Sequence, residues 1–294
     1  MSENILTVKD LKTYFYTASG IAKAVDGVSF NIAKGETMGI VGESGSGKSV
    51  TSSSIIRLLP PRTGKIVGGS IEFEGKDVLA LSKKELNDFR GKDIAVIFQD
   101  PMTSLDPVFK IGKQMTEMIM AHQNVTKDEA WKMSVEALSK VGIPEPEKRM
   151  NSYPYELSGG MCQRVIIAMA VCCKPKLIIA DEPTTALDVT VQAQVLELLK
   201  ELQRDMDTAI LLITHNLGVV WEMCDKVMVM YAGNTVEFTD TKTLYSNPRH
   251  PYTWGLLDSM PKLSDESKGE LKTIPGTPPD LRLTGKCCNF YNRC

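Results

Sequence analysis

The sequence predicts an α/β protein built on a doubly wound parallel sheet. Short apolar strands recur along the chain, at 37–41, 177–180, 209–214 and 227–231, and helical segments separate them. Strands that alternate with helices form parallel sheets with helices on both faces. The first of these strands also runs directly into a glycine-rich turn, and a helix at 48–59 follows. That connection is typical of α/β sheets that bind ligands at strand ends.

Composition limits the possible classes of function. The chain has 294 residues, 43% hydrophobic and 24% charged, with a net charge of −2. This near-neutral charge supplies no basic field for nucleic acid, so we expect no nucleic-acid partner. No apolar stretch approaches the roughly 20 residues of a membrane span. The N-terminus lacks the positive charge and apolar core of a signal peptide. We therefore expect a cytoplasmic protein that meets a membrane only through partners.

Changes in periodicity divide the chain into segments. The first forty residues have the pattern of short strands, with alternating apolar residues at 28–32. From about 102 to 175 the pattern is helical, which we interpret as a subdomain inserted into the α/β core. Towards the C-terminus the chain becomes polar and then proline-rich. We expect a first domain at 1–260 and a small C-terminal extension at 261–294.

Residues 42–49, GESGSGKS, match the phosphate-loop pattern G-x-x-x-x-G-K-[ST] between a strand and a helix. Backbone N–H groups of such a loop turn inward towards an anion, and the helix N-terminus behind them adds roughly half a positive charge. Lys48 can reach the β- and γ-phosphates of a nucleotide, and the Ser49 hydroxyl can bind Mg²⁺. A flexible glycine loop is the alternative, but it does not explain the strand–loop–helix context.

Asp181 and Glu182 end a second apolar strand. Ligands bind at the carboxyl ends of parallel strands, so Asp181 would hold the Mg²⁺ shell and Glu182 would polarise the attacking water as general base. An acidic helix cap before Thr184 is the alternative. His215 ends a third strand, where a polar side chain can reach the γ-phosphate. A structural histidine is the alternative there, and the resemblance that follows favours the functional role.

Three further segments resemble motifs of ABC ATPases. Residues 157–161, LSGGM, are similar to the signature LSGGQ, Gln99 lies in a segment similar to the Q-loop, and 186–188 are similar to the D-loop. Their order and spacing match the family over essentially 1–260. The resemblance implies a P-loop NTPase core with an N-terminal antiparallel β subdomain, an inserted α-helical subdomain and a small C-terminal extension. Met161 replaces the usual glutamine. Backbone donors do not need that side chain, so we expect hydrolysis to be retained, and an inactive signature is the alternative.

The signature also has a physical meaning of its own. Ser158 can cap a helix that begins near Gly159, and the glycines bare backbone N–H groups as a second anion site. The resemblance implies that two such domains pair head to tail, each signature closing on the γ-phosphate held by the other's phosphate loop. The resemblance also implies that an aromatic side chain stacks on adenine. Phe15 is the preferred candidate and Tyr16 the next, and Tyr14 is a third candidate.

The resemblance assigns roles to the residues at matching positions of this sequence. It places catalysis on Lys48, Gln99, Glu182 and His215. It places Mg²⁺ binding on Ser49, Gln99 and Asp181. It places nucleotide contacts on Phe15, Tyr16, Gly42, Ser44, Gly45, Ser46, Gly47, Lys48, Ser49, Val50, Ser158, Gly159, Gly160 and Asp188.

Longer segments resemble the dipeptide/oligopeptide permease branch. These are 99–107, 157–164, 180–190 and, from its C-terminal extension, 249–253. The resemblance implies the ATP-hydrolysing subunit of a di- or oligopeptide importer, peripheral at the cytoplasmic face of the cell membrane. Its implied partners are two membrane-spanning permease subunits, a second related ABC ATPase as heterodimer partner and, indirectly, an extracytoplasmic peptide-binding protein.

The sequence leaves alternatives for the cargo and for the function. Nickel, glutathione and antimicrobial peptides are alternative cargoes within the branch. A soluble, non-transport ABC ATPase is disfavoured because the chain has neither a long coiled-coil insertion nor a second cassette. A regulatory module that holds nucleotide without turnover is disfavoured by Glu182, which supplies the general base.

Three cysteines crowd the end of the sequence. Cys288, Phe290, Arg293 and Cys294 resemble the C-x-F-x-x-R-C segment with which the branch begins a four-cysteine [4Fe–4S] site, and thiolates suit iron. The family's other two cysteines would follow Cys294, and the adjacent Cys287 could offer a third thiolate. The favoured interpretation is a tail without a cluster, disordered so near the terminus. The alternative is a cluster completed by further chain.

Overall fold

The computed structural model describes residues 3–185, 187–260, 273–284 and 287–294. The strands are β1 (Asn4–Thr17), β2 (Gly20–Ala33), β3 (Thr37–Val41), β4 (Gly64–Phe73), β5 (Lys76–Asp77), β6 (Ile94–Ile97), β7 (Leu177–Asp181), β8 (Ala209–Ile213), β9 (Lys226–Tyr231) and β10 (Asn234–Asp240). The α-helices are α1 (Lys48–Ile55), α2 (Lys83–Asp88), α3 (Pro101–Ser104), α4 (Ile111–His122), α5 (Lys127–Lys140), α6 (Pro146–Arg149), α7 (Gly159–Val171), α8 (Val189–Met206), α9 (Leu217–Met223), α10 (Thr241–Ser246) and α11 (Pro251–Asp258). The described residues form two compact units, the first within 1–80 and 212–294 and the second within 81–211.

The first unit contains an antiparallel sheet in the order β2–β1–β4–β5. Val28, Phe30 and Ile32 of β2 are buried, as their alternation predicts. The expectation of several short strands is wrong, because β1 and β2 are 14 residues long each. Register shifts between the two strands, one of them around Asp10 with its φ of 47°, break the period-two pattern without ending the strand.

A second set of strands in the first unit has the order β10–β9–β3, with β9 parallel to β3. All of β3 is buried, and the glycine-rich turn after it leads directly into α1. This helix ends at Ile55, earlier than the predicted end near residue 59. The chain enters the left-handed region at Arg57, with φ of 53°, and that conformation cannot continue an α-helix.

In the second unit β8, β7 and β6 are neighbouring strands, and β6 runs parallel to β7. Residues 177–180 of β7 are fully buried, as expected for a central parallel strand. Helix α8 buries Val195, Leu199 and Leu202 along one face. The parallel α/β core predicted from the alternation of strands and helices is therefore present.

The predicted helical region contains α3 to α7. Ile111, Met115 and Ile119 form the buried face of α4, as their spacing predicts. Thr126 begins α5 with a capping box in which its side chain accepts from the backbone of Glu129. Helix α7 packs against α4 and α5 and is buried along most of its length.

The C-terminal residues 273–284 and 287–294 belong to the first unit. The expectation that the cysteine-containing tail is disordered is wrong, because Phe290 is buried against aromatic side chains and orders the segment. Residues 261–272, where the linker was predicted, lie outside the described residues. Within the part of the chain that the structure describes, none of the helices has the length and apolar character that crossing a membrane requires.

Candidate functional site

The phosphate loop of the first unit has the backbone that its glycines predict. Gly42 and Gly47 have φ of 153° and 105°, which disfavours any residue with a side chain. A Cβ on Gly42 would lie 2.2 Å from the carbonyl oxygen of Met230, and one on Gly47 would lie 2.3 Å from that of Ala24. The loop therefore lies directly against two neighbouring backbones, and only glycine fits at these two positions.

Lys48 is buried and folds back over the loop. Its Nζ donates to the carbonyl of Gly42 at 2.7 Å and to that of Glu43 at 3.0 Å. The ammonium group is thus held at the centre of the loop, where it can exchange carbonyl oxygens for phosphate oxygens. Ser44, Gly45 and Ser49 lie exposed around it, and Val50 continues α1 half-buried.

Three details suit this loop to an anion. The Ser46 hydroxyl is buried and has no hydrogen-bond partner among the residues that the structure describes. At Gly45 a Cβ would meet nothing within 4 Å, so the loop is open on that side. Helix α1 begins at Lys48 without a side-chain cap, and an uncapped helix N-terminus favours a bound anion.

The three aromatic residues of β1 have different surroundings. The Tyr14 hydroxyl donates to Asp26 Oδ1 at 2.8 Å, and burial together with this hydrogen bond raises the pKa of Tyr14 to about 12. Phe15 is half-buried, and its ring lies 3.1 Å from where a Cβ on Gly64 would be. Tyr16 is 40% exposed, with Lys65 5.4 Å from its ring centre. The Tyr14 hydroxyl is thus held by Asp26. Stacking of Phe15 or Tyr16 on adenine stays a prediction.

His215 also lies in the first unit. It follows the end of β8, where the N–H of Thr214 donates to the carbonyl of Ile40 in β3 at 3.1 Å. Asn216 then caps α9 by accepting from Gly218 at 2.9 Å. His215 is exposed. Its neighbour Thr214 contacts β3, the strand that leads into the phosphate loop.

The second unit brings together Gln99 and Glu182. Gln99 Nε2 donates to Glu182 Oε2 at 3.0 Å, and the Thr185 hydroxyl donates to the same oxygen at 2.9 Å. Glu182 has φ of 48°, a left-handed conformation that costs a non-glycine residue about 1 kcal/mol or more. Two donors and a strained backbone hold the carboxylate in one orientation at the end of β7, directly after Asp181.

The Gln99–Glu182 contact was not predicted from the sequence. Gln99 is exposed between β6 and α3, in a loop ordered by Asp100, which accepts from the N–H of Met102 at 2.9 Å. The oxygen donors expected for Mg²⁺, namely the Ser49 hydroxyl, the Gln99 amide and the Asp181 carboxylate, are of the type that this ion prefers. Each of the three groups therefore suits the ion chemically.

The signature segment begins α7 as predicted. The Ser158 side chain accepts from the N–H of Met161 at 3.3 Å, so it caps the helix. Gly159 is open, with nothing within 4 Å of a Cβ placed there, whereas a Cβ on Gly160 would lie 2.8 Å from Val191 Cγ1. Only the backbone of Met161 takes part in the cap, which agrees with a tolerated replacement of glutamine.

Gln163 connects this helix to the segment that follows β7, and Asp188 begins α8. Gln163 is 1% exposed, and its Nε2 donates to the carbonyl of Pro183 at 2.7 Å. The sequence prediction missed this residue, although a glutamine in an apolar helix was a signal for it. Asp188, predicted to contact nucleotide, caps α8 by accepting from Val191 at 2.9 Å. Ala186 of the predicted D-loop lies outside the described residues.

The tail contains three cysteines. Cys287, Cys288 and Cys294 are exposed. Among the described residues, no group of three or more histidine, cysteine, aspartate or glutamate side chains is arranged to hold a metal ion. An iron–sulfur cluster needs four thiolates or their equivalent. The residues present do not fit one.

Comparison with known proteins gives two family matches and several close relatives. Residues 25–185 match the model described as ABC transporter, and 236–294 match that described as oligopeptide/dipeptide transporter, C-terminal region. The chain is 58% identical to the oligopeptide transport ATP-binding protein OppD of Bacillus subtilis, over 94% of this chain and 77% of that protein. It is 52% identical to the dipeptide transport ATP-binding protein DppD of the same organism, over 99% of this chain and 87% of that protein.

Solved structures with the same fold include two related cassettes. The dimeric, post-hydrolysis structure of the ATP-binding cassette MJ0796 bound to ADP and Pi has a TM-score of 0.72 and 26% identity, covering 80% of this chain and 98% of that one. The structure of cbiO1 from Clostridium perfringens, part of the ABC transporter complex cbiONQ, has a TM-score of 0.70 and 29% identity, covering 84% of this chain and 92% of that one.

Proposed function

The chain belongs to the ABC transporter family, in its oligopeptide/dipeptide branch, and from this membership we propose that it is the ATP-hydrolysing subunit of a peptide importer. The predicted family and fold class are thereby confirmed. The observation that carries the choice of branch is the match of 236–294 to the C-terminal region of oligopeptide/dipeptide transporters. Relatives at 50–58% identity that are named for oligopeptide or dipeptide transport support the same cargo class.

ATP binding is assigned to the phosphate loop. Lys48 would exchange its bonds with the carbonyls of Gly42 and Glu43 for the β- and γ-phosphates, and the partnerless Ser46 hydroxyl would gain an acceptor. Ser49, with Gln99 and Asp181, would hold Mg²⁺, which when bound neutralises phosphate charge. Phe15, or Tyr16 in its place, would stack on adenine.

Hydrolysis is assigned to Glu182. Its carboxylate would take a proton from the attacking water, and the donors Gln99 and Thr185 keep the carboxylate oriented for that transfer. His215 would contact the γ-phosphate through its imidazole.

Pairing of two cassettes gives the signature its role. We assign Ser158, Gly159 and Gly160 to the nucleotide held by a partner cassette, which would be a second, related ATPase. The dimeric form of the similar cassette MJ0796 supports this arrangement. The paired ATPases would act at the cytoplasmic face of the membrane with two membrane-spanning permease subunits, supplied with peptide by an extracytoplasmic binding protein.

A complementation experiment tests the function and the cargo together. In a host that lacks this chain, the wild-type gene should restore uptake of a labelled tripeptide, and Lys48→Ala should not. Lys9→Ala is the matched control, because the Lys9 side chain forms an exposed ion pair with Glu72. Restored uptake of labelled nickel or glutathione, without uptake of peptide, would assign the motor to the other cargo instead.

A further inference from the structure

The C-terminal residues lie against the phosphate loop through an aromatic cluster in the first unit. Phe290 is 3% exposed, and its ring centre lies 5.2 Å from that of Tyr231 and 5.4 Å from that of Tyr252. The Tyr252 hydroxyl accepts a hydrogen bond from the N–H of Glu43 at 2.8 Å. Because Glu43 directly follows Gly42, this cluster connects the end of the sequence to the first turn of the loop.

Arg293 continues this connection as an ion pair. Its Nη1 donates to Glu43 Oε2 at 2.8 Å and its Nη2 to Glu43 Oε1 at 3.2 Å, a bidentate arrangement. Its other donors reach the Tyr231 hydroxyl and the carbonyls of Ile274 and Pro275. The Arg293 side chain is 7% exposed. The hydrogen bond to the Glu43 carboxylate raises the pKa of the guanidinium above its ordinary value, so the guanidinium stays charged.

Asn289 supports the loop from a second side. Its Nδ2 donates to the carbonyl of Ala232 at 3.0 Å. The next residue, Gly233, donates its N–H to the carbonyl of Ser46 at 3.0 Å. The tail therefore contacts the loop directly at Glu43, and it reaches Ser46 indirectly, through Ala232 and Gly233.

Arg293 compensates the negative charge of Glu43. A carboxylate in a phosphate loop repels the anion that the loop binds, and the repulsion is strong where water is partly excluded. The Glu43 side chain is 27% exposed, so solvent screens its charge incompletely. A bidentate guanidinium neutralises the negative charge of Glu43. It also holds the carboxylate in one orientation, so that the carboxylate cannot rotate freely.

We propose that Arg293 is a positioning residue of the nucleotide site, which neutralises Glu43 and fixes the start of the phosphate loop. The C-terminal region then sets the affinity of the loop for a nucleoside triphosphate. This inference rests on the proposed function of the loop in binding ATP.

Titration of the full chain with ATP, followed by calorimetry, tests the charge relationship. Arg293→Ala should raise the Kd for ATP roughly tenfold, because the loop then carries an uncompensated carboxylate. Glu43→Gln should not raise the Kd, and the double variant should return it to within about threefold of wild type. Arg293→Lys, which keeps the charge but loses the bidentate geometry, should raise the Kd roughly threefold.

The controls separate this role from a structural one. Arg282→Ala removes another arginine of the C-terminal region, one that pairs with Asp280 on the surface, and should leave the Kd unchanged. A double variant that binds as weakly as Arg293→Ala, or Arg293→Lys as weak as Arg293→Ala, would overturn the proposal, as would an unchanged Kd in Arg293→Ala. If the wild-type chain itself does not bind ATP, the proposed function fails, and this inference fails with it.

Discussion

Gln99 donates its side-chain amide to Glu182 at 3.0 Å, although 83 positions separate the two residues in the chain. Thr185 donates to the same carboxylate oxygen at 2.9 Å, and the backbone of Glu182 is in the left-handed region. Strain of this kind persists only where surrounding contacts hold it. The Glu182 carboxylate is therefore oriented before substrate binds.

Thr185→Val tests that orientation with a change of almost equal volume. It removes one donor to Glu182, so we expect kcat for ATP hydrolysis to fall roughly tenfold, because small misplacements of a reacting group are costly. The KM for ATP should stay within about twofold, since the phosphate loop is unchanged. Steady-state kinetics give both values. Thr184→Val is the matched control, and an equal loss in the two variants would contradict a specific role for Thr185.

The signature predicts different outcomes for neighbouring positions. Met161→Gln should leave ATPase activity within about threefold, because only the backbone of Met161 takes part in the cap. Ser158→Ala removes the cap of α7 and should destabilise the fold by about 1 kcal/mol. Chemical denaturation and ATPase assays measure the two effects. A more than tenfold gain of activity in Met161→Gln would indicate a degenerate signature.

Adenine stacking is predicted for Phe15. Phe15→Ala should raise the Kd for ATP roughly tenfold, which corresponds to the lower range of base–aromatic stacking energies. Tyr14→Phe should leave the Kd unchanged, because the lost hydroxyl only pairs with Asp26. If Tyr16→Ala raises the Kd for ATP more than Phe15→Ala does in the same titration, the stacking residue is Tyr16.

Two adjacent thiols of the second unit differ in acidity. Mutual interaction of the two thiols lowers the pKa of Cys173 and raises that of Cys172. Because the thiolate is the reactive form, the midpoint for alkylation of Cys173 by iodoacetamide should lie at a lower pH than that of an ordinary thiol. Peptide mass spectrometry follows each cysteine separately. In Cys172→Ala the midpoint should move to higher pH, and faster labelling of Cys172 than of Cys173 would contradict the assignment.

The features predicted correctly from the sequence are local ones. The phosphate loop, the acids at the end of β7 and the cap at Ser158 each depend on a few consecutive residues whose chemistry and spacing define one geometry. The buried faces of α4 and β2 follow from periodicity in the same way. The extent of β1 was underestimated because its register shifts disturb that periodicity.

The features that were missed depend on contacts between distant residues. Gln163 meets Pro183 20 positions away, and Arg293 meets Glu43 250 positions away. No local sequence pattern predicts such a contact, because only folding of the backbone brings the two residues together. The order of the C-terminal tail was missed for this reason, because Phe290 is ordered by aromatic rings that lie far from it in sequence.

The most direct test of the central claim, that this chain hydrolyses ATP with Glu182 as general base, is the turnover of Glu182→Gln in the complex with the partner ATPase and the permease subunits. The amide keeps the size and the acceptor oxygen of the carboxylate but cannot take a proton. ATP hydrolysis by this site should fall by about 10²-fold or more, while bound ATP is retained and the ATPase pair stays closed. Turnover equal to that of the wild-type complex would contradict the account.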